Sequence, residues 1–174
     1  MADAHDRRTF LKLVGGASCA AGAAMIGVPV ATAFLSPLGK DSVIGASGFL
    51  PTISADAIPA DGSPVSVAIV VPRPRDAWSA LPPTEVGTVF LRREQERIIA
   101  MSTICPHLGC KVDEDAANKR FRCPCHDSDF DLAGAVLTGP SPRGLDRLET
   151  RVVDGIVEVE YVRFKTGTPN KVLA

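Results

Sequence analysis

The chain has 174 residues, 45% hydrophobic and 22% charged, which rules out a wholly disordered chain and leaves room for one folded domain with a tail. Lys+Arg total 19 against Asp+Glu 20, and aromatics are only 5%, so a basic, base-stacking nucleic-acid surface is not expected. Gly 15 and Pro 14 favour a turn-rich β fold, and five Cys are few for a disulfide scaffold but enough for a metal site.

Residues 13–39 contain no charge, and Arg7, Arg8 and Lys12 stand just before them. About 20 apolar residues cross a bilayer as a helix, so 13–38 is read as a single transmembrane anchor behind a cytoplasmic segment, 1–12. The stretch is Gly- and Ala-rich, and with Arg7-Arg8-Thr9-Phe10-Leu11-Lys12 it resembles a twin-arginine export signal; Asp6 stands where Ser or Thr is usual. Cleavage at Ala31-Thr32-Ala33 would release a soluble protein. Retention is favoured: the basic residues precede the span, which places the N-terminus in the cytoplasm of a bacterium and the rest on the outer, periplasmic side. A core helix is the bland alternative, disfavoured by the small residues and paired arginines. Cys19 is then a small apolar residue of the span, and His5 has no evident role. Residues 39–48, with three Gly, read as a flexible hinge.

Residues 49–174 form the head. Val65 to Val71 is β-branched and apolar, closed by Pro72 and Pro74. Asp76 to Leu81 allows one helical turn. Val86 to Leu91 and Arg97 to Ser102 read as a hairpin around Arg93-Glu94-Gln95-Glu96. In Arg151 to Tyr161, Asp154-Gly155 lies between two β-branched runs, the pattern of a tight hairpin. Val157, Val159 and Tyr161 should then face the core, with Glu158 and Glu160 facing water. From residue 41 onward there are 15 basic and 18 acidic residues, so the head offers no basic surface to lipid or nucleic acid.

Four of the five Cys and two of the three His fall within 22 residues, in Cys105-Pro106-His107-Leu108-Gly109-Cys110 and Cys123-Pro124-Cys125-His126-Asp127-Ser128. Each box pairs a Cys with a His and leaves one Cys over. Both follow strand-like runs, so they should sit on neighbouring loops at one end of the sheet. Structural zinc is the main alternative, but its usual spacing is Cys-x2–4-Cys with a matching pair, and here six donors would compete for four positions. A Cys nucleophile beside His has no use for two duplicated pairs.

The two boxes resemble those of Rieske iron–sulfur proteins, Cys-x-His-x-Gly-Cys and Cys-x-Cys-His-x-Ser. The resemblance implies an all-β head, a Rieske-type antiparallel β-sandwich with a small cluster-binding subdomain, whose cluster loops are 105–110, 123–130 and 139–145. It implies a 2Fe-2S cluster held by Cys105 and Cys123 on one iron and His107 and His126 on the other, and a disulfide between Cys110 and Cys125. Such a ligand set leaves the oxidised cluster formally neutral, where four thiolates would make it dianionic, so its potential should lie well above that of an all-Cys cluster. Reduction raises the imidazole pKa, so electron and proton are taken up together. Ser128 matches the family serine whose hydroxyl bonds a sulfide. Phe130 stands where high-potential members have Tyr, so one donor is missing and a menaquinol-range midpoint is favoured over a ubiquinol-range one; plain core packing is the alternative role for Phe130. Asp127 replaces the usual Gly, and is expected to be solvated or to cap a turn. Pro106 replaces the common Thr.

Gly139-Pro140-Ser141-Pro142-Arg143-Gly144-Leu145 resembles the proline loop covering the cluster in cytochrome bc-type proteins, and the Tyr161 to Pro169 ending resembles bacterial bc-type tails. This implies the iron–sulfur subunit of a respiratory quinol–cytochrome c reductase, an oxidoreductase that is not catalytic alone. Its partners would be a cytochrome b subunit, a c-type cytochrome and quinol. His126 is the expected catalytic contact to quinol, and Leu108 and Pro140 the apolar docking rim. The small Rieske subunit of an exported molybdenum oxidase such as arsenite oxidase is the alternative, disfavoured by the proline loop.

Overall fold

The computed structural model describes residues 4–36, 48–74 and 79–174. The chain divides into an N-terminal unit and the head.

The N-terminal unit is one helix, α1 (Ala4–Leu35). It starts well before the uncharged stretch, so residue 12 marks the end of the charge and not the start of the helix. At 1.5 Å per residue, 13–35 spans about 35 Å, enough for a hydrocarbon core of about 30 Å. Pro29 lies inside the helix, and Thr32 Oγ1 donates to its carbonyl at 2.9 Å. Every side chain from Asp6 to Leu35 is exposed, so an apolar surface of membrane-crossing length is left bare. The hinge expected at 39–48 falls outside the described residues except for Gly48. So does most of the turn expected at 76–81, and residues 79–81 are not helical.

The head is built from three antiparallel sheets. The first has the order β1 (Phe49–Ser54), β11 (Ile156–Glu160), β10 (Thr150–Val153). The second runs β2 (Val65–Val71), β3 (Thr84–Glu94), β4 (Arg97–Ser102), β9 (Arg147–Leu148). The third runs β5 (Asp113–Asp115), β6 (Arg120–Cys123), β7 (Ser128–Asp131), β8 (Val136–Thr138).

The β10–β11 hairpin forms as expected. Asp154 (φ 49°) and Gly155 (φ 77°) both adopt the left-handed conformation, which matches the right-handed twist of the strands they join. Val157, Val159 and Tyr161 are buried, while Glu158 and Glu160 are only partly covered. The β3–β4 hairpin also forms, with Gln95 at φ 56° in its turn, and β3 runs longer at both ends than the apolar run alone indicates. Arg93 pairs with Ile98 and Glu94 with Arg97, so polar residues taken for the turn are in fact ladder residues.

The first two sheets enclose the main core, where Leu50, Val157 and Val159 meet Val67, Ile69, Val89, Leu91 and Ala100. Because alternate residues face opposite sides of a strand, β3 and β4 send Phe90 and Met101 the other way. There they join Cys105, Val112, Phe121, Cys123, Phe130 and Leu145 in a second core. Phe90 stacks on Phe121 with ring centroids 4.3 Å apart, which fixes the small sheet to the large one.

Candidate metal centre

The first box begins where β4 ends. Ser102 N–H donates to Asp146 O at 2.8 Å, and Thr103 Oγ1 donates to Thr88 O at 3.0 Å. A bridge between Ile104 and Lys111 closes the loop's base. Inside it, Cys105 N–H donates to Cys110 O (2.8 Å) and Gly109 N–H to Cys105 O (2.9 Å), with Gly109 at φ +84°. These bonds close the loop on itself, while the His107 and Leu108 N–H groups turn toward the Cys105 sulfur.

The second box is the loop of the β6–β7 hairpin, in which Cys123 pairs with Ser128. Asp127 takes φ 54°, which explains why glycine suits this place. Its carboxylate is 74% exposed and meets Arg122 at 2.7 Å, so the charge is solvated and neutralised, not buried against the sulfurs. The two boxes are neighbours, as expected, but they do not share one sheet: β4 belongs to the second and β6 and β7 to the third. A disulfide between Cys110 and Cys125 joins them. For a loop of this length, such a link contributes about 3 kcal/mol.

The joined loops bring together two pairs of side chains, Cys105 with Cys123 and His107 with His126. Cys105 and Cys123 are free, buried thiols. Burial pushes the Cys105 thiol up; the His107 backbone N–H opposes this, and a hydrogen bond with the Cys123 side chain adds to the rise. Two buried thiols in contact cannot both ionise without a cation between or beside them. The rings of His107 and His126 lie edge to face with centroids 4.8 Å apart. His107 is half-buried and His126 exposed. Cys123 also lies within 4.8 Å of the Cys110 and Cys125 sulfurs, but those two are bonded to each other and have no thiolate to offer. The disulfide thus removes the surplus donors that a zinc reading would have had to share out.

Ser128 Oγ is buried and has no hydrogen-bond partner. An orphaned hydroxyl costs roughly 1–3 kcal/mol, and a bridging sulfide beside Cys123 is an acceptor that would satisfy it. Phe130 is fully buried, sits across from Phe121 and offers no donor. Two thiols, two imidazoles and an unspent hydroxyl fit a 2Fe-2S group.

The proline loop closes over the second box. Gly139 has φ +94°, and a Cβ there would lie 2.6 Å from Asp127 O and 2.8 Å from Ser128 N. Only a bare Cα fits. Pro140 is exposed, as is Leu108 on the first box, at 62%. Leu145 anchors the far end of the loop in the second core.

Several contacts escaped the sequence reading. Arg122 holds Asp127. Arg143 grips Asp146 with two hydrogen bonds, 2.9 and 2.7 Å. The tail returns to the first box, where Gly167 N–H donates to Pro106 O at 2.8 Å. The opposite charges of Arg143 and Asp146, three residues apart, were the available signal; nothing local marks Gly167.

A family model described as the Rieske [2Fe-2S] domain matches residues 63–150, just over half of the chain. The iron–sulfur subunit of the cytochrome b6-f complex of Nostoc punctiforme is 38% identical over 78 residues, which are 43% of this chain and 44% of that one. The chloroplastic subunit of the same name from Triticum aestivum is 38% identical over 84 residues, 45% of this chain and 38% of that one. The chain therefore matches less than half the length of these curated relatives. The plasma membrane Rieske protein PetC3 from Synechocystis PCC 6803 is 26% identical, with a TM-score of 0.46 over 64% of this chain and 99% of that one. Both boxes, Ser128, Phe130 and the proline loop all lie inside the matched region, and the chain belongs to the Rieske 2Fe-2S family.

Proposed function

We propose that this chain is the membrane-anchored iron–sulfur subunit of a quinol-oxidising complex of the cytochrome bc or b6-f kind. Its relatives carry that subunit's name. The observation that carries the reading is the exposed His126 ring on the second box, with Leu108 exposed on the first box and Pro140 exposed on the proline loop that closes over the second.

Cys105 and Cys123 would hold one iron and His107 and His126 the other. The group, when bound, supplies reversible one-electron chemistry. The two cysteines lie buried and away from water. His126 presents its outer ring nitrogen to the quinol hydroxyl, accepts its hydrogen bond and takes its proton. Leu108 and Pro140 exclude water around that nitrogen by docking on a cytochrome b subunit. Ser128 donates toward the group, while Phe130 cannot, which suits menaquinol over ubiquinol. The apolar α1 anchors the chain in a bacterial cytoplasmic membrane with the head outside. The head would pass its electron to a c-type cytochrome.

The test is Leu108→Asp in the assembled complex. A charge on a rim that must be desolvated weakens docking by about tenfold or more. Iron content should stay at the wild-type value, and quinol–cytochrome c reductase activity should fall by more than the small lowering of the midpoint that a solvated carboxylate beside His107 brings. Unchanged activity, or a chain that does not co-purify with a b-type haem protein, overturns the proposal.

A further inference from the structure

The two boxes and the proline loop are held on one side by the disulfide and by Gly139 against Ser128. On the other side they are held by the tail, which lies beyond the family-matched residues 63–150. We infer that Arg143 is a positioning residue: it clasps the tail turn 165–168 against the first box and so fixes the loop that carries His107. The inference rests on the 2Fe-2S site and not on the choice of quinol partner.

Arg143 and Asp146 have side chains only 10% and 8% exposed. Their two parallel hydrogen bonds set the guanidinium plane. Asp146 is itself fixed, because its carbonyl accepts Ser102 N–H at the end of β4. Held this way, the fork has donors left over. Arg143 Nη2 donates to Lys165 O at 3.0 Å, and Nη1 donates to Thr168 O. Both carbonyls belong to the turn whose Gly167 N–H reaches Pro106 O, one residue before His107. Gly167 has φ +71°, and its Cβ position would lie 3.7 Å from His107 O; Thr166 Cγ2 faces the Cβ position of Gly109 at 3.8 Å. The tail is thus bonded to the His107 loop through Gly167 N–H, with Gly167 and Thr166 lying close beside His107 and Gly109, and the largely covered Arg143 guanidinium ties that turn to the proline loop. A lysine keeps the charge but cannot reproduce the fork.

The experiment uses the full chain with its cluster assembled. Wild-type protein must first contain iron and acid-labile sulfide in equal amounts; if it does not, the cluster reading fails and the clasp is not the cause. In Arg143→Lys, deuterium uptake at peptides covering 103–109 and 164–169 should rise about tenfold, and the g-values of the reduced state should shift. Arg151→Lys, in the exposed pair with Glu158 on β10 and β11, should change neither. Faster exchange with unchanged g-values would make Arg143 a tail anchor only and overturn the inference, as would unchanged exchange. If Arg143→Lys does not accumulate, Gly167→Ala strains the other end of the same link, and an unshifted spectrum there overturns it equally.

Discussion

Ser128 and Phe130 sit two residues apart on β7 with their side chains on the same face, and they pull in different directions. Ser128 carries a buried hydroxyl with no protein partner, whereas Phe130 fills its place with a ring that donates nothing. A hydrogen bond to a sulfur favours the reduced, more negative state. At about 1–1.5 kcal/mol per bond, the effect on a one-electron couple is about 40–60 mV. Ser128→Ala should therefore lower the midpoint by that amount, and Phe130→Tyr should raise it by a similar amount, both with the cluster retained. Redox titration followed by EPR measures both. A midpoint unmoved in Phe130→Tyr would show that the ring is only packing. Asp127 should matter little, because its carboxylate is exposed and paired with Arg122.

Elements that could be read in the sequence were those whose pattern is local. β2 and the β10–β11 hairpin have β-branched runs and an Asp-Gly turn, and both lie where expected. β1 was missed because Pro51 interrupts Phe49–Ser54; the strand survives because it is the edge of its sheet, where a missing N–H costs nothing. The third sheet was anticipated only through the family resemblance. β6 is Arg-Phe-Arg-Cys and β7 is Ser-Asp-Phe-Asp, so charge hides an alternation that buries just Phe121, Cys123, Ser128 and Phe130. The cluster boxes were legible because metal donors at fixed spacing are rare. The tail contact was not, since a backbone N–H to a distant carbonyl leaves no trace in side-chain identity. At this scale the sharpest prediction concerns Gly139. A methyl there would overlap the Ser128 backbone, at a φ that L-residues avoid. Gly139→Ala should push the proline loop off the second box. It should cost on the order of 2 kcal/mol or more by thermal unfolding, with partial loss of iron. A melting temperature equal to wild type would contradict this closure.

Across the whole molecule, the two ends of the chain are linked by compartment. A disulfide between Cys110 and Cys125 persists only where the surroundings are oxidising, and Arg7-Arg8 at the start of α1 is the feature read as the export signal. The disulfide in turn joins the two boxes and contributes about 3 kcal/mol to their pairing. If Arg7-Arg8 directs export, as proposed, closing the link between the two boxes would depend on delivery of the head. Replacing both arginines by lysine tests this dependence with little other disturbance. Lysine keeps the positive charge that orients a span, and its helix propensity is close to that of arginine. If the pair is read as a signal, Arg7→Lys/Arg8→Lys should leave the head in the cytoplasm. Cys110 and Cys125 should then react with an alkylating reagent that leaves them untouched in the wild-type chain. A variant whose two cysteines stay protected would show that the arginines supply only charge, and that α1 reaches its membrane by another route.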